Sequence, residues 1–279
     1  MTPTGFTAFD GILIFLYLAF ALGFGLRASG RQQSVQDYFL GGRSMPWWAV
    51  LLSVVATETS TLTFISIPAV AYGGTLTFLQ LTLGYLLGRI LVAGLLLPHY
   101  FKGELSTAYQ FVGQRFGDGM RRAASGTFIL TRVLADGVRL FATAIPLAVI
   151  FRFSGQFAGL SDFHVYVLAI LLITVATGIY TYFGGIRAVI WMDVVQLGLY
   201  IGGAGLAFGL LWNALPSSSG QILASLQDAG KLELFRFGGG MDLRGILADP
   251  YVFWVSLFGG AVFSIASHGT DQLIVQRLL

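Results

Sequence analysis

The sequence has no cysteine, only three histidines and few charged residues, with Asp, Glu, Lys and Arg together making up 10% of its 279 positions. Without cysteine, disulfides, thiol nucleophiles and thiolate metal sites are excluded. The chain also shows no metal-ligand spacing, no nucleophile and base constellation and no phosphate-binding loop, so we expect neither an enzyme nor a bound organic cofactor. The 16 basic residues exceed the 13 acidic ones by too little to indicate a nucleic-acid partner.

Apolar sequence is abundant: hydrophobic residues make up 56% of the chain, and the mean hydropathy is +0.78. Apolar runs of about 20 residues, the length that crosses a bilayer as a helix, recur from end to end. The sequence therefore predicts an all-α polytopic membrane protein with about seven transmembrane helices. The predicted spans are Phe9–Leu26, Trp47–Tyr72, Thr75–Phe101, Ala123–Phe153, Phe163–Phe183, Val189–Leu215 and Tyr251–Leu273.

Basic residues fall in alternate connections between these spans. Because short cytoplasmic loops carry an excess of Lys and Arg, the pattern predicts an external N-terminus in the cell membrane, inner or plasma, and a long external segment at 216–250. The amphipathic stretch Ile222–Leu234 within it could lie on the membrane surface. The basic residues are Arg27, Arg31 and Arg43 after the first span, Lys102, Arg115, Arg121 and Arg122 after the third, Arg187 after the fifth and Arg277 after the seventh.

The second span is unusually polar. Between Ser53 and Pro68 it carries seven hydroxyl side chains and the carboxylate of Glu58. Polar groups in hydrocarbon must find internal partners, so this stretch should face a protein interior or an aqueous cavity. Pro68 lacks an N–H and leaves the carbonyl of Phe64 without its helical donor, which favours a break in the helix. Free carbonyls and hydroxyls at such a break suit a small hard cation, although the hydroxyls could instead bond back to their own helix.

The fourth span contains three charges spaced by four and three residues, Arg132, Asp136 and Arg139. This spacing places them on one helix face, where the acid can bridge both bases. We interpret them as a structural ion cluster, with a contact to a substrate as the alternative.

Three further polar residues lie in other spans. Arg89 could extend to the membrane surface or meet Glu58. Asp193 could serve an ion exit path or simply bond Gln196. His268, in a polar patch of the last span, could be a ligand, a proton relay or a packed helix residue.

Small residues also recur in two spans, at Gly84 and Gly88 in the third and at Gly198, Gly202 and Gly203 in the sixth. Their spacing is better explained by close helix packing than by nucleotide binding.

Three stretches together resemble the sodium:solute symporter family. Asp37–Ala49 reads DYFLGGRSMPWWA and is similar to the family's entry to its second helix. Tyr182–Gln196 reads YFGGIRAVIWMDVVQ and is similar to its Gly-Gly-x-x-Ala-Val-x-Trp-x-Asp-x-x-Gln turn, and Thr270–Arg277 reads TDQLIVQR and is similar to the end of its seventh helix. The three occur in the family's order and cover the chain from end to end.

The resemblance implies a partial five-plus-five inverted-repeat fold of the LeuT type. On that scheme the chain is one membrane domain, 1–279. A leading helix and cytoplasmic loop occupy 1–44, the first repeat 45–215, an external loop 216–250, and the first helix of the second repeat 251–279. Because the family has further helices after the seventh, we expect the sequence to be an N-terminal fragment, with the C-terminal half of the transporter as a missing partner.

The resemblance also implies Na⁺ as the coupling ion. Ala56 and Thr59 would offer backbone carbonyls to it, with Glu58 as a nearby acid and Asp193 close on the cytoplasmic side. The polar positions assigned to the solute are Thr61, Thr63, Thr82, Tyr85, Ser264 and Ser267. A sugar is not indicated, because the sugar-recognising Gln, Glu and Asn of the sugar members match Thr63, Thr82 and Ser264.

The expected function is sodium-coupled symport of a small polar solute across the lipid bilayer. One alternative is a membrane sensor or scaffold domain of a signalling protein. Another is proton coupling through Glu58, Asp136 or His268.

Overall fold

The computed structural model describes residues 7–28, 34–41, 44–102, 108–155, 157 and 159–278. These residues form helices and connecting turns and contain no β-strand, as the sequence predicts. The α-helices are α1 Ala8–Ala28, α2 Val35–Leu40, α3 Trp47–Glu58, α4 Thr61–Gly73, α5 Leu81–Leu91, α6 Leu97–Lys102, α7 Ala108–Phe116, α8 Asp118–Phe153, α9 Asp162–Ala214, α10 Ser219–Asp228, α11 Leu243–Ala248, α12 Phe253–Gly269 and α13 Gln272–Leu278. A 3₁₀ turn, Leu76–Gln80, precedes α5, and a π-helical turn, Val92–Leu96, joins α5 to α6.

The described helices follow the predicted spans. Four stretches, Phe9–Ala28, Leu76–Phe101, Asp118–Phe153 and Asp162–Ala214, are long and apolar enough to cross a membrane, and the bent pair α3 and α4 makes a fifth candidate. Helix α12 is apolar but has only 17 residues. It ends earlier than the predicted seventh span, because the chain leaves the helix at Thr270 before α13 begins.

Helix α9 contains both the fifth and the sixth predicted spans. Its 53 residues would extend for roughly 80 Å if straight, far more than the hydrocarbon thickness of about 30 Å. The run is interrupted at Gly185, whose φ of 57° and ψ of −161° are not helical. An L side chain rarely adopts that backbone conformation, so glycine is required at the break between the two spans.

The chain divides into two compact units, and the first comprises 1–63 and 126–200. Its core is built from small residues where α8 meets α9, namely Ala144, Ala148, Val165 and Ala169. Small side chains let membrane helices approach closely, which raises dispersion contact in the absence of a hydrophobic driving force.

Two of the stretches that carry the family resemblance meet inside this first unit. Gly41 ends α2 with a φ of 62°, and a β-carbon there would lie 3.3 Å from Cγ of Arg187. The Tyr38 hydroxyl donates to the carbonyl of Thr181 at 3.4 Å. Trp48 packs edge-on against Trp191, with ring centroids 5.4 Å apart. Arg31 and Arg43, used in the orientation argument, lie outside the described residues.

The second unit comprises 64–125 and 201–279, and the contact of α5 with α12 is its centre. Gly84 and Gly88 lie against the backbone of α12: a β-carbon at Gly84 would be 2.4 Å from the carbonyl oxygen of Ser256, and one at Gly88 would be 2.5 Å from that of Ala261. Close packing at these two glycines is confirmed. A β-carbon at Gly198, Gly202 or Gly203, by contrast, would meet no atom of the described chain within 4 Å, so their predicted packing has no partner there.

The long segment predicted as external is held to the second unit by polar contacts. Lys231 donates through Nζ to the carbonyls of Tyr72 at 2.6 Å and Gly74 at 2.9 Å. The Gln80 amide donates to the carbonyl of Tyr251 and accepts the N–H of Arg236. Helix α10 begins with a capping box between Ser218 and Gln221 and ends at Asp228, so the helix starts before the predicted amphipathic stretch and stops well inside it.

Candidate functional site

The second span is broken in the middle of its polar stretch. Helix α3 ends at Glu58, helix α4 starts at Thr61, and the two are bent by 61°. Pro68 does not make this break, because it lies inside α4. The prediction of a broken helix is therefore correct, but the physical reason given for it is not.

Hydroxyl side chains bond to the backbone on both sides of the break. Thr59 adopts an extended backbone, with φ −83° and ψ 95°, and its hydroxyl donates to the carbonyl of Val55 at 2.9 Å. At the start of α4, Ser60 and Thr63 exchange bonds: the Ser60 N–H donates to Thr63 Oγ1 at 3.3 Å, and the Thr63 N–H to Ser60 Oγ at 3.4 Å. This reciprocal pattern is that of an N-terminal capping box, which starts a new helix.

A carboxylate packs against the last two turns of α3, just before the break. Asp193 accepts a hydrogen bond from Ser53 Oγ at 2.6 Å, and Thr57 Oγ1 lies 3.5 Å from the same carboxylate oxygen. Ser53 is fully buried, and the Thr57 hydroxyl also donates to the Ser53 carbonyl at 2.8 Å. Three oxygen-bearing side chains thus meet in the first unit, within a segment that is otherwise apolar.

Sequence reasoning placed Asp193 near the sodium site but did not find Ser53 as its partner. The two residues are 140 positions apart, and no local pattern joins them. The available signal was the cost of a carboxylate in a membrane span, which requires a donor on a neighbouring helix.

The remaining residues assigned to sodium lie at the end of α3. The Ala56 carbonyl accepts the Thr59 N–H at 3.1 Å, which leaves its second lone pair for another donor or a cation. Glu58 is the last residue of α3 and is exposed. A carboxylate at this end of a helix adds its charge to the partial negative charge of the final carbonyls, and together they attract a cation.

The charged residues of α8 form contacts along one helix face. Arg132 Nε lies 2.9 Å from Asp136 Oδ2, and Arg139 Nη1 lies 4.0 Å from Asp136 Oδ1. Asp136 and Arg139 are each half exposed, and Arg132 is more buried. The acid is thus hydrogen-bonded to Arg132 and lies at the limit of ion-pair distance from Arg139.

The residues assigned to the solute fall into two groups, one in each unit. In the first unit, Thr61 lies 3.4 Å from the hydroxyl of Thr143 on α8, and Thr63 takes part in the cap of α4. In the second unit, Ser264 donates to the Tyr85 carbonyl at 3.2 Å, which joins α12 to α5. The other hydroxyls of this group bond to nearby carbonyls, Thr82 to Leu79 at 2.6 Å and Ser267 to Ser264 at 3.3 Å.

Arg89 and His268 contact each other inside the second unit. Arg89 Nε donates to His268 Nε2 at 3.2 Å. The other ring nitrogen, Nδ1, lies 3.2 Å from the carbonyl oxygen of Ser264 and 3.0 Å from Ser267 Oγ. The His268 ring thus has a polar neighbour at each of its two nitrogens.

Among the described residues no group of three or more His, Cys, Asp or Glu side chains could hold a metal ion. The oxygen donors near the break are instead the hydroxyls of Ser53 and Thr57, the carboxylate of Asp193 and the carbonyl oxygens at the end of α3.

Comparison with known proteins places this arrangement in a class of secondary transporters. The model of the sodium:solute symporter family matches residues 38–279, so the chain belongs to the sodium:solute symporter family. It is 31% identical to the human sodium/iodide cotransporter over 99% of this chain and 40% of that protein. It is 33% identical to the sodium/sialic acid symporter SiaT of Proteus mirabilis over 78% of this chain and 42% of that protein.

A solved structure shows the same fold. A sodium-coupled sialic acid symporter, in a substrate-bound outward-open state, matches 98% of this chain with a TM-score of 0.78 and 29% identity, over 54% of its own length. The chain thus has the LeuT-like fold of this symporter across nearly all its residues. It spans about two fifths of the curated relatives it matches and about half of the solved chain.

Proposed function

We propose that this protein takes part in sodium-coupled symport of a small polar solute and carries out no covalent chemistry. The observation that carries the proposal is the group of oxygen atoms around the broken second span, where the Asp193 carboxylate meets Ser53 and Thr57 just before the end of α3. Family membership and relatives named for sodium-coupled transport support it.

The chemistry of the break suits sodium better than a transition metal. A small hard cation prefers oxygen ligands, which hydroxyls, carbonyls and a carboxylate supply. The carbonyls of Ala56 and Thr59 lie where α3 ends, and the partial negative charge of that end adds to the attraction. We assign Ala56, Glu58, Thr59 and Asp193 to the coupling sodium, with Ser53 as the residue that orients Asp193.

For the solute, two of the relatives are named for iodide and for sialic acid, both of which are anions at neutral pH. We therefore propose that small anions are the first solutes to test. The proposed contacts are the hydroxyl-bearing residues Thr61, Thr63, Thr82, Tyr85, Ser264 and Ser267.

The cluster of Arg132, Asp136 and Arg139 is proposed as a structural one, because each arginine is within ion-pair distance of the same acid.

We also propose an external N-terminus in the cell or plasma membrane, with the first inverted repeat at 45–215 and the first helix of the second at 251–279. The alternation of basic connections supports the orientation. The break at Gly185 supports the assignment of Asp162–Ala214 to two spans.

The function is tested with the protein as its gene encodes it, reconstituted in liposomes. Uptake of iodide, sialic acid and other labelled small anions is compared under an inward sodium gradient, an equal choline gradient and an inward proton gradient. We expect uptake of at least one solute to require sodium and to stop when the gradient is collapsed. Uptake driven by protons alone would instead make this a proton-coupled carrier, and sodium-independent binding without uptake would favour a sensor.

A further inference from the structure

A cavity lies in the first unit where the end of α8 meets the start of α9, and none of the residues assigned to sodium or solute lines it. Its volume is about 260 Å³, and it is lined by residues of the two helices. Pockets for drug-sized ligands usually measure roughly 300–1,000 Å³, so this cavity is large enough for a small molecule or for part of a longer one.

The floor and walls of the cavity are apolar. Ala148 and Val165 form the floor and are almost fully buried in the core between the two helices. Val149 and Phe153 also line the cavity and are 44% and 57% exposed, so the cavity is open on the side of these two residues. Because α8 and α9 are both long and apolar enough to span a membrane, the apolar side chains exposed on that side suit lipid acyl chains.

The mouth of the cavity carries one positive and one negative charge. Arg152, near the end of α8, donates through Nη2 to Asp162 at the start of α9, and its Nη1 lies 3.4 Å from the carbonyl oxygen of Phe157. The Arg152 side chain is 34% exposed and that of Asp162 is 84% exposed. Since both residues stand at the ends of membrane spans, the pair lies at the level of the lipid headgroups.

We propose that this cavity binds a zwitterionic phospholipid with a primary ammonium, of which phosphatidylethanolamine is the common example. The guanidinium of Arg152 binds the phosphate, the exposed carboxylate of Asp162 accepts hydrogen bonds from the ammonium, and the first part of an acyl chain lies over Ala148 and Val165. An anionic lipid without an amine would place its charge beside Asp162. A choline headgroup offers no N–H donor to that carboxylate.

The test uses purified protein and native mass spectrometry of bound lipid during titration with phosphatidylethanolamine, its mono- and dimethylated forms, phosphatidylcholine and phosphatidylglycerol. We expect phosphatidylethanolamine to bind about tenfold more tightly than phosphatidylcholine, because the choline headgroup cannot donate a hydrogen bond to the charged Asp162 carboxylate. The affinity should fall stepwise from phosphatidylethanolamine through its mono- and dimethylated forms. This series needs no variant and so does not depend on whether a mutant folds.

Variants then locate the site. Asp162→Asn should reduce the preference for phosphatidylethanolamine over phosphatidylcholine to near unity. Asp118→Asn is the matched control, because Asp118 forms an exposed ion pair with Arg121 at 3.0 Å near the other end of α8. It should leave the preference unchanged.

Three results would overturn the proposal. Equal binding of the ethanolamine and choline lipids to the wild-type protein would show that Asp162 does not accept hydrogen bonds from the lipid ammonium. An unchanged preference in Asp162→Asn would place the lipid elsewhere. Soluble glycerophosphoethanolamine that binds as tightly as the intact lipid would show a site for a headgroup-like solute rather than for membrane lipid.

Discussion

Replacing Gly88 by alanine tests whether the contact between α5 and α12 determines the stability of the second unit. A β-carbon at Gly88 would lie 2.5 Å from the carbonyl oxygen of Ala261 and 2.6 Å from Cβ of Ser264. Ordinary carbon contacts are about 3.5–4.0 Å, so the helices would have to separate by roughly 1 Å. A gap of that size forfeits a quarter to a half of the dispersion energy of each contact it opens. Overpacking of this kind costs about 1–3 kcal/mol.

Gly94→Ala is the matched control in the same span, because no described atom lies within 4 Å of its β-carbon position. There the loss of backbone entropy in the unfolded chain should make alanine neutral or stabilising by about 0.5–1 kcal/mol. The assay is thermal unfolding of the purified protein in detergent. We expect Gly88→Ala to lower the midpoint by roughly 2–12 °C relative to wild type. A Gly88→Ala midpoint equal to or above that of Gly94→Ala would refute the reasoning.

Two further outcomes are expected from polar contacts. Asp136→Asn should remove the counter-charge that Arg132 and Arg139 share and so lower both the free energy of unfolding and the unfolding midpoint. The free energy should fall by under about 1 kcal/mol if this helix face is hydrated and by several kcal/mol if it faces hydrocarbon. Normal stability with abolished uptake would place Asp136 on the transport path instead. Burial, and to a smaller extent the charge of Asp271, raises the pKa of Tyr109 to about 12. The neutral Tyr109 hydroxyl therefore contributes fully to the free energy of unfolding below pH about 10, and this contribution is lost as the pH rises toward 12. Tyr109→Phe should therefore show a smaller loss of stability between pH 10 and 12, and an unchanged alkaline profile would contradict this.

The membrane spans could be predicted from sequence because their signal is local. Hydrocarbon excludes unpaired backbone groups, so apolar length alone identifies helices such as α1 and α8. The separation of Asp162–Ala214 into two spans could also be predicted, because Gly184 and Gly185 interrupt the apolar pattern just before Arg187.

The position of the break in the second span was harder to predict. Pro68 is the strongest local breaker in that sequence, yet α4 accommodates it, and the break lies at Thr59 and Ser60. A run of hydroxyls offers several competing caps, and the choice among them depends on reciprocal bonds such as that of Ser60 with Thr63.

Side-chain pairs between distant helices could not be predicted. Arg89 donates to His268, 179 residues away, a contact that no local pattern in the sequence predicts. Ser53 and Asp193 are a second such pair. Periodicity specifies which face of a helix a residue occupies, but not which helix that face meets.

The central claim, that oxygen groups around the break bind the coupling sodium, is tested most directly by the sodium concentration that gives half-maximal uptake. In the protein as its gene encodes it, Asp193→Asn and Glu58→Gln should each raise that concentration much more than they raise the half-saturating solute concentration. Thr59→Val keeps the backbone carbonyl and should be milder. Sodium must also raise the affinity for the solute by the same factor by which the solute raises the affinity for sodium, typically about 5–150-fold. Both acidic variants should reduce this coupling factor. If both acidic variants left sodium dependence unchanged while Thr59→Val abolished it, the ligand would be the Thr59 hydroxyl and the assignment of the carboxylates would be wrong.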